Sequence, residues 1–274
     1  MLFRSGDIDD VRIYNRVLST AERRVLAGYH PMQVSTWNVT PASSGMKLHY
    51  VPEHLGPLAD NTEITQWDNT SGNPLHVVRG ALGPLYAQSG INGRPALSFT
   101  AGRYLTRGCN DLNLGGDNLT IIGAISQTGN GGSNRALYEY GPNLVYLHDT
   151  SSQRLAYFNT SIRVNSQADF INLVAPNANM IYAVSNGASG GIYKNGTNVT
   201  EGAPVASTGS ACVFPNALYL GSRFDGAVAY DSFLGLFGDV LYFNTVLIPA
   251  DRRIAECYLS SKYSIPLGPG VTCD

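Results

Sequence analysis

Carboxylate pairs on one face of a strand are an arrangement that could hydrolyse a glycosidic bond. A retaining glycosidase holds its two carboxyl groups about 5 Å apart, which a strand achieves with acidic residues that point to the same face. The chain has six glutamates, and none of them is followed by an aspartate two residues later. A G-x-S-x-G sequence occurs at 187–191, but it lies between two apolar runs typical of strands, whereas a serine hydrolase needs a strand followed by a helix. Because neither pattern is present in the required form, we predict that the protein is not an enzyme. A glycosidase is a minor alternative.

Aspartate clusters could bind calcium, which is the one cofactor that the sequence leaves open. Asp7, Asp9 and Asp10 form one cluster, and Asp111 and Asp117 form another. Calcium takes about six to eight oxygen ligands, several of them carboxylates, and neither cluster follows a fixed calcium-loop pattern. Because aspartates that form turns explain both clusters equally well, we predict no cofactor and leave the metal unassigned, with calcium as the open alternative.

The four cysteines, Cys109, Cys212, Cys257 and Cys273, predict disulfides rather than a zinc site. No C-x-x-C pair occurs and the five histidines are scattered, so the spacing of zinc ligands is missing. An even number of cysteines in a chain rich in Ser, Thr and Asn indicates two disulfides and an extracellular or cell-surface location. Three connectivities are open, and we favour Cys257–Cys273, which attaches the tail to the last helix, together with Cys109–Cys212.

Sugars could be present on this protein in two ways, as attached glycans and as bound ligands. The candidates for N-linked glycans are Asn38, Asn69, Asn118, Asn159, Asn195 and Asn198. The candidates for O-linked sugars are Thr36 and Thr40 near Pro41. A bound sugar needs an exposed aromatic ring beside polar donors, and most of the 16 tyrosines fall in strand runs where core or cross-strand positions are expected. The aromatic residues nearer to loops are Trp37, Tyr104 and Tyr230.

The composition of the 274-residue chain excludes several classes of protein. Hydrophobic residues make up 43% and charged residues 14%, so a large core can form, while a coiled coil rich in Glu, Lys and Leu is excluded. The 16 Tyr, 9 Phe and 2 Trp need burial, which argues against disorder. No apolar run reaches the roughly 18 residues that a membrane-spanning helix requires. A net charge of −2 without a basic stripe argues against nucleic acid as a partner.

The chain carries one short element twice. Residues 6–29 and 235–258 align without a gap and are identical at 10 of 24 positions. Each copy reads as a strand, a turn and a short helix, which starts with a capping box at Ser19 and Glu22 in the first copy and with Pro249 in the second. In the second helix, Ala250, Ile254 and Tyr258 predict an apolar stripe.

A β-sandwich needs only one final strand of this kind to complete its sheet, so the first copy is surplus. It could be the tail of an upstream repeat, it could fold back on its own domain, or it could dock on another copy of the chain. We favour head-to-tail docking through the apolar residues of the first copy, which are Val11, Ile13, Tyr14, Leu18, Val25 and Leu26.

Between the two copies, short apolar runs bounded by Gly, Pro, Asn and Asp predict many strands. Asn195-Gly196 lies between two of these runs and predicts a hairpin. The start, Met1 to Ser5, lacks the apolar stretch of a signal peptide and suggests a fragment edge. The predicted organisation is a surplus strand and helix at 1–29, a linker rich in Pro, Ser and Thr at 30–46, and a sandwich domain at 47–274.

Several motifs resemble those of the laminin-G-like, concanavalin A-like lectin–glucanase family of jelly rolls. They are Q-W-D-N-T-S-G-N at 66–73, a G-I-N-G-R-P-A-L-S-F strand at 90–99, Y-K-N-G-T at 193–197 and L-G-S-R at 220–223, in the order of that family. The resemblance covers roughly residues 45–265 and implies an all-β jelly-roll β-sandwich with short peripheral helices, to which this chain adds the N-terminal strand and helix. It implies no catalytic residues, since the E-x-D-x-x-E motif of the glucanases of this fold is absent.

Our prediction of function is a non-enzymatic extracellular structural subunit that joins copies of itself head to tail in a surface filament or tandem array. The alternative is a carbohydrate-binding or adhesion module whose partners are surface glycans. A filament requires chain ends that pair between copies, whereas a lectin requires an exposed aromatic face.

Overall fold

The structure is a computed structural model that describes residues 45–73, 75–108, 118–127, 135–140, 143–148, 154–159, 162–166, 179–186, 191–201, 217–224 and 229–273. The predicted docking element at 1–29 and nearly all of the linker at 30–46 lie outside these residues, so this division of the chain stays a prediction. No helix among the described residues is long and apolar enough to cross a membrane.

Most described residues form strands of two antiparallel sheets. The first sheet contains β1 (Met46–Tyr50), β4 (Leu85–Ile91), β5 (Arg94–Phe99), β7 (Leu119–Gln127), β12 (Asn179–Asn186), β13 (Gly191–Lys194), β14 (Thr197–Asn198) and β19 (Gly235–Phe243). Its strand order is β14-β13-β12-β7-β19-β5-β4, and β1 also pairs with β19.

The second sheet contains β2 (Gln66–Trp67), β3 (Val77–Arg79), β6 (Leu105–Gly108), β8 (Arg135–Tyr140), β9 (Asn143–His148), β10 (Arg154–Asn159), β11 (Ile162–Ser166), β15 (Thr200–Glu201) and β16 (Ala217–Leu220). Its strand order is β15-β11-β10-β9-β8-β16-β6-β3-β2. A separate two-stranded ribbon pairs β17 (Arg223–Phe224) with β18 (Ala229–Tyr230). One turn of 3-10 helix (Pro52–Leu55) follows β1, and the helix α1 (Pro249–Tyr263) follows β19.

The core has two layers because the first sheet is covered on both faces. Alternate residues of β7 show this: Ile121 and Ile125 belong to the cluster between the two sheets, whereas Ile122 and Ala124 belong to the cluster under α1. All nine residues of β7 are buried, so this strand reads as a continuous apolar run instead of an alternating one.

The second copy of the repeated element has the predicted form. It consists of the strand β19, a turn and the helix α1, whose first residue is Pro249. The predicted apolar stripe of the helix is wrong, because Ala250 is exposed and Ile254 is only half-buried. The buried residues are instead Arg252, Ala255, Glu256, Leu259, Lys262 and Tyr263. Three of these six carry a charge, and their partners on the sheet and the helix make their burial tolerable.

Asn-Gly turns close two hairpins of the first sheet. The predicted turn at Asn195-Gly196 joins β13 to β14 with φ angles of 49° and 80°. Asn92-Gly93 joins β4 to β5 with the same two angles, so the motif at 90–99 is the turn of a hairpin and not a single strand. Positive φ at both turn residues matches the right-handed twist of the paired strands.

Candidate functional site

A row of side chains on the outer face of the second sheet forms the candidate site. Tyr219 of β16 lies directly opposite Thr106 of β6 on one side and Glu139 of β8 on the other. The residues that flank this row along the strands, such as Leu105 and Leu218, belong to the core between the sheets. Because side chains alternate along a strand, the three residues of the row point away from the core.

Tyr104 brings a second aromatic ring to this row. The ring centroids of Tyr104 and Tyr219 are 6.0 Å apart and their planes are inclined by 51°. Gly80 makes this position of Tyr104 available, because a Cβ atom at residue 80 would overlap the end of the Tyr104 ring. Tyr104 is half-buried and Tyr219 is only 9% exposed, so the two rings form a partly covered amphipathic platform with apolar faces and hydroxyl groups at their ends.

Charged groups stand next to the two rings. The Arg223 Nε atom is 3.8 Å from Glu139 Oε1, and the side chains of these residues are 40% and 15% exposed. Burial raises the pKa of Asp231, and the nearby Arg223 guanidinium opposes this shift. Asp231 has a φ angle of 50°, and its carbonyl oxygen accepts a hydrogen bond of 2.7 Å from the Ala136 amide at the start of β8. Arg223 therefore lies among carboxylates beside the aromatic platform. We call Tyr104, Thr106, Glu139, Tyr219 and Arg223 the Tyr219 face.

The surroundings of the Tyr219 face are partly apolar. Val78 is opposite Thr106 on the neighbouring strand β3 and is 40% exposed. Leu82 is 45% exposed, and its carbonyl oxygen accepts a hydrogen bond from the Tyr104 amide. Burial also raises the pKa of Tyr219, while a hydrogen bond from Thr106 acts in the opposite direction. The phenol of Tyr219 thus stays neutral and can both donate and accept hydrogen bonds.

The structure places one of the three aromatic residues predicted from the sequence at this face. Tyr104 belongs to it, whereas Trp37 and the side chain of Tyr230 lie outside the described residues. Tyr219, Glu139 and Arg223 are not among the site residues predicted from the sequence. A polar or hydroxyl-bearing residue between two apolar residues of a strand is expected to point outward, and this signal is present for Tyr219 and Glu139. Their position side by side could not be predicted in this way, because it depends on which strands pair.

The structure pairs Cys257 with Cys273, with Cα atoms 5.6 Å apart, as favoured from the sequence. Cys109 and Cys212 lie outside the described residues. The same is true of Val11, Ile13, Tyr14, Leu18, Val25 and Leu26, which are predicted to serve assembly, and of Asn38, Thr36, Thr40 and the two aspartate clusters. Among the residues that are described, no group of three or more His, Cys, Asp or Glu side chains could hold a metal ion.

The candidate glycan acceptors differ in how available their amides are. Asn118 and Asn198 are exposed, and Asn195 is half-buried. The Asn69 Nδ2 atom donates to Lys47 O at 3.0 Å and to Asn73 O at 2.9 Å, so a glycan on this nitrogen would break contacts that hold its loop. The side chain of Asn159 is outside the described part of the chain. The predicted glycosylation therefore stays a prediction, and Asn69 is the least suitable of the described acceptors.

The carboxylates of Glu53 and Asp239 meet at one amine, and their surroundings do not suit a glycosidase. Glu53 Oε2 and Asp239 Oδ1 lie 2.7 and 2.6 Å from the same amine, Lys262 Nζ. Asp239 is fully buried, and the lysine occupies the place of a substrate between the two acids. A glycosidase has to admit both a sugar and water there.

Neither a protein-family model nor a curated protein sequence matches this chain. Among solved structures, the receptor-binding domain of botulinum neurotoxin mosaic serotype C/D matches with a TM-score of 0.57 and 10% sequence identity, over 79% of this chain and 51% of that one. The binding domain of botulinum neurotoxin serotype C1 matches with a TM-score of 0.52 and 13% identity, over 81% of this chain and 53% of that one. Domain 4 of an extracellular arabinanase from Geobacillus stearothermophilus has a TM-score of 0.47 and 12% identity, over 75% of this chain and 95% of that one.

At these sequence identities the likeness shows the fold alone. The chain spans about half the length of the two toxin structures that it matches and 33% of a Trypanosoma rangeli sialidase. The antiparallel sheets and the structural neighbours define an all-β sandwich of the jelly-roll type, which confirms the predicted fold class for the described residues and agrees with a concanavalin A-like fold.

Proposed function

We propose that this protein is a carbohydrate-binding module and that the Tyr219 face is its binding site. The observation that carries this proposal is the pair of aromatic rings, the half-buried Tyr104 and the largely covered Tyr219, beside the Arg223–Glu139 ion pair on the outer face of the second sheet. A sugar ring has apolar C–H faces and hydroxyl groups at its edge. The tyrosine rings suit the former, and charge-assisted hydrogen bonds donated by a guanidinium and accepted by a carboxylate suit the latter.

An extracellular or cell-surface location belongs to the same proposal. It is supported by the disulfide between Cys257 and Cys273, since such bonds persist in oxidising compartments. One of the toxin domains that this chain resembles in fold is a receptor-binding domain. That likeness makes recognition of a surface ligand a reasonable use of the fold, but the support for glycans comes from the Tyr219 face of this chain.

The test is binding of the purified chain to an array of immobilised neutral and acidic oligosaccharides, followed by titration of the best ligand. We expect Tyr219→Ala and Tyr104→Ala each to weaken binding roughly tenfold, because an aromatic contact of this kind contributes about 1 kcal/mol or more. Arg223→Ala should weaken binding as well. Arg253→Ala is the matched control, since its Nε atom is 3.9 Å from Glu256 Oε2, but it lies on α1 behind the other sheet. No binding to the array, or equal losses for Arg223→Ala and Arg253→Ala, would refute the proposal.

Assembly into a filament is the second candidate, and the repeated element is the observation that favours it. The structure restricts how such an assembly could form. The second copy of the element, β19, pairs with β7 on one side and with β1 and β5 on the other. Both of its edges are therefore occupied, and the first copy could take the same place in another molecule only if that molecule released its own β19.

Light scattering and electron microscopy of the full chain test the filament. A filament requires particles that grow with concentration and that become monomers when residues 1–30 are deleted. Monomers for both forms would leave the carbohydrate-binding proposal as the better account.

A further inference from the structure

A buried cluster of polar side chains lies where α1 meets the first sheet, on the side of the molecule away from the Tyr219 face. We call His49, Glu53, Asp239, Tyr258, Lys262 and Tyr263 the Asp239 cluster. Asp239 belongs to β19 and Lys262 to α1, and the Lys262 Nζ atom lies 2.6 Å from Asp239 Oδ1. The side chain of Asp239 is fully buried and that of Lys262 is 4% exposed, so this amine and this carboxyl group face each other out of contact with bulk water.

Four hydrogen bonds hold the two oxygens of the Asp239 carboxyl group. Oδ1 accepts the Lys262 bond and a bond of 2.7 Å from the Tyr263 hydroxyl. Oδ2 accepts a bond of 2.5 Å from the Tyr258 hydroxyl, and His49 Nε2 lies 3.2 Å from it. The Tyr263 hydroxyl also accepts from the Asp239 amide at 2.9 Å. Donors fixed around a carboxyl group in a dry site stabilise negative charge that develops on its oxygens during attack at the carbon.

Glu53 gives the Lys262 amine a second carboxylate. Its Oε2 atom is 2.7 Å from Nζ, and its side chain is 27% exposed, so it connects the buried pair with solvent. Burial raises the pKa of Glu53, although the charge of Lys262 opposes this effect. A carboxylate with a raised pKa next to an amine is suited to accept a proton from that amine and to return it later.

We propose that Lys262 and Asp239 join in an intramolecular amide bond, an isopeptide bond between the helix α1 and the strand β19. The ammonium group of Lys262 first passes a proton to Asp239 Oδ1, 2.6 Å away, so that a free amine faces a neutral carboxylic acid. The free amine then attacks Asp239 Cγ, and the electron pair of the carbonyl moves to Oδ2, where the Tyr258 hydroxyl and an N–H of His49 stabilise it.

Glu53 then takes a proton from the attacking nitrogen and passes it to Oδ1, which already carries the first Lys262 proton and leaves as water. The tetrahedral carbon then collapses to the amide. An ammonium and a carboxylate are consumed, one amide and one water are formed, and no oxidant or other co-reactant is needed. Glu53, Tyr258 and His49 end in the protonation states in which they began.

Two physical conditions favour this reaction. The reacting groups are held by packing and hydrogen bonds, so the reaction avoids the entropic cost of bringing them together. Burial of an ion pair is also expensive, and its conversion to a neutral amide removes both charges from the interior. The reaction competes against the stability of the ion pair, since Lys262 and His49 hold the pKa of Asp239 well below its usual range in spite of burial. We therefore expect a slow reaction that each molecule undergoes once after folding.

The test is the intact mass of the purified, fully reduced chain. The bond predicts a mass lower by one water than that of the sequence. Trypsin should not cut after the modified Lys262, so digestion should give residues 224–252 linked to residues 254–274, with fragment ions that place the link between Asp239 and Lys262.

Three variants complete this test. Lys262→Arg and Glu53→Gln should show the full mass of their sequences, whereas the control Lys194→Arg on β13 should still lack one water. Succinimide formation at Asp225-Gly226 would also release water, but it would persist in Lys262→Arg and would leave no linked peptides. Full mass of the wild-type chain, both when fresh and after prolonged incubation, would show that the pair stays ionic and would overturn the proposal.

Discussion

Gly80 and Tyr104 determine the shape of the Tyr219 face at the scale of single residues. A side chain at residue 80 would occupy the place of the Tyr104 phenol, and that ring forms the platform together with Tyr219. The end of a tyrosine side chain can move away without disturbing the strands beneath it. Binding is therefore more sensitive than stability to a substitution at this glycine.

We predict that Gly80→Ala weakens carbohydrate binding several-fold while it changes the free energy of unfolding by less than about 1 kcal/mol, as expected where a substitution leaves the core intact. Titration with the best array ligand and urea unfolding measure the two quantities. Gly108→Ala is the control, because a Cβ atom there meets nothing within 4 Å. If both variants bind as the wild type does, the position of the Tyr104 ring does not matter for binding.

At the scale of secondary structure elements, the two Asn-Gly hairpins have the same backbone but different surroundings. Gly93 and Gly196 both have a φ angle of 80°. A Cβ atom at Gly93 would meet nothing within 4 Å, whereas one at Gly196 would lie 2.8 Å from Val271 Cγ1 and 3.1 Å from Arg253 Nη1. The hairpin of β13 and β14 therefore packs against both α1 and the tail that follows it.

We predict that Gly196→Ala destabilises the protein more than Gly93→Ala does. Each substitution forces a residue with a side chain into the left-handed region, which costs about 1–2 kcal/mol, and Gly196→Ala adds the displacement of the tail. Urea unfolding of both variants measures the difference. Equal losses would mean that the tail moves away without cost.

The second copy of the repeat shows what the sequence can and cannot predict about these elements. Strand, turn and helix follow from alternation and from Pro249, and the hairpin follows from Asn195-Gly196. The buried face of α1 does not follow, because an apolar stripe is expected to exclude charges, while here Arg252 lies over the ring of Tyr193 at 3.4 Å and Lys262 meets Asp239. Similarly, the row of Thr106, Tyr219 and Glu139 comes from strands far apart in the sequence, whose pairing no local pattern encodes.

At the scale of the whole molecule, the described residues form two large sheets, a two-stranded ribbon, one turn of 3-10 helix and the helix α1, which follows β19. This strand pairs with its neighbours on both edges, and α1 covers the outer face of the same sheet. An amide bond between Asp239 and Lys262 would fix the helix on the sheet covalently, in addition to the disulfide that fixes the tail on the helix. A link of this kind restricts the unfolded chain and so stabilises the whole fold, by about 3 kcal/mol for a short loop.

The bond also makes the stability of the whole molecule less dependent on pH, and this is measurable. Without the bond, Asp239 has a folded pKa well below its unfolded value of about 3.9. The ionised Asp239 then stabilises the fold at pH values above its unfolded pKa. This stabilisation is lost as the pH falls, because the unfolded chain binds a proton that the folded chain does not bind. An amide at the same position has no such proton to gain.

We predict that Lys262→Arg loses more stability than the wild type between about pH 6 and pH 3, the range in which an unfolded aspartate takes up its proton. Arginine keeps a positive charge next to Asp239 and Glu53 but cannot form the amide, so Asp239 remains ionised in the variant. Urea unfolding at a series of pH values, with the disulfides intact, gives the two slopes. Lys194→Arg should follow the wild type. If the wild type and Lys262→Arg lose stability in parallel, Asp239 still titrates in the wild-type protein, and the helix is attached to the sheet by an ion pair alone.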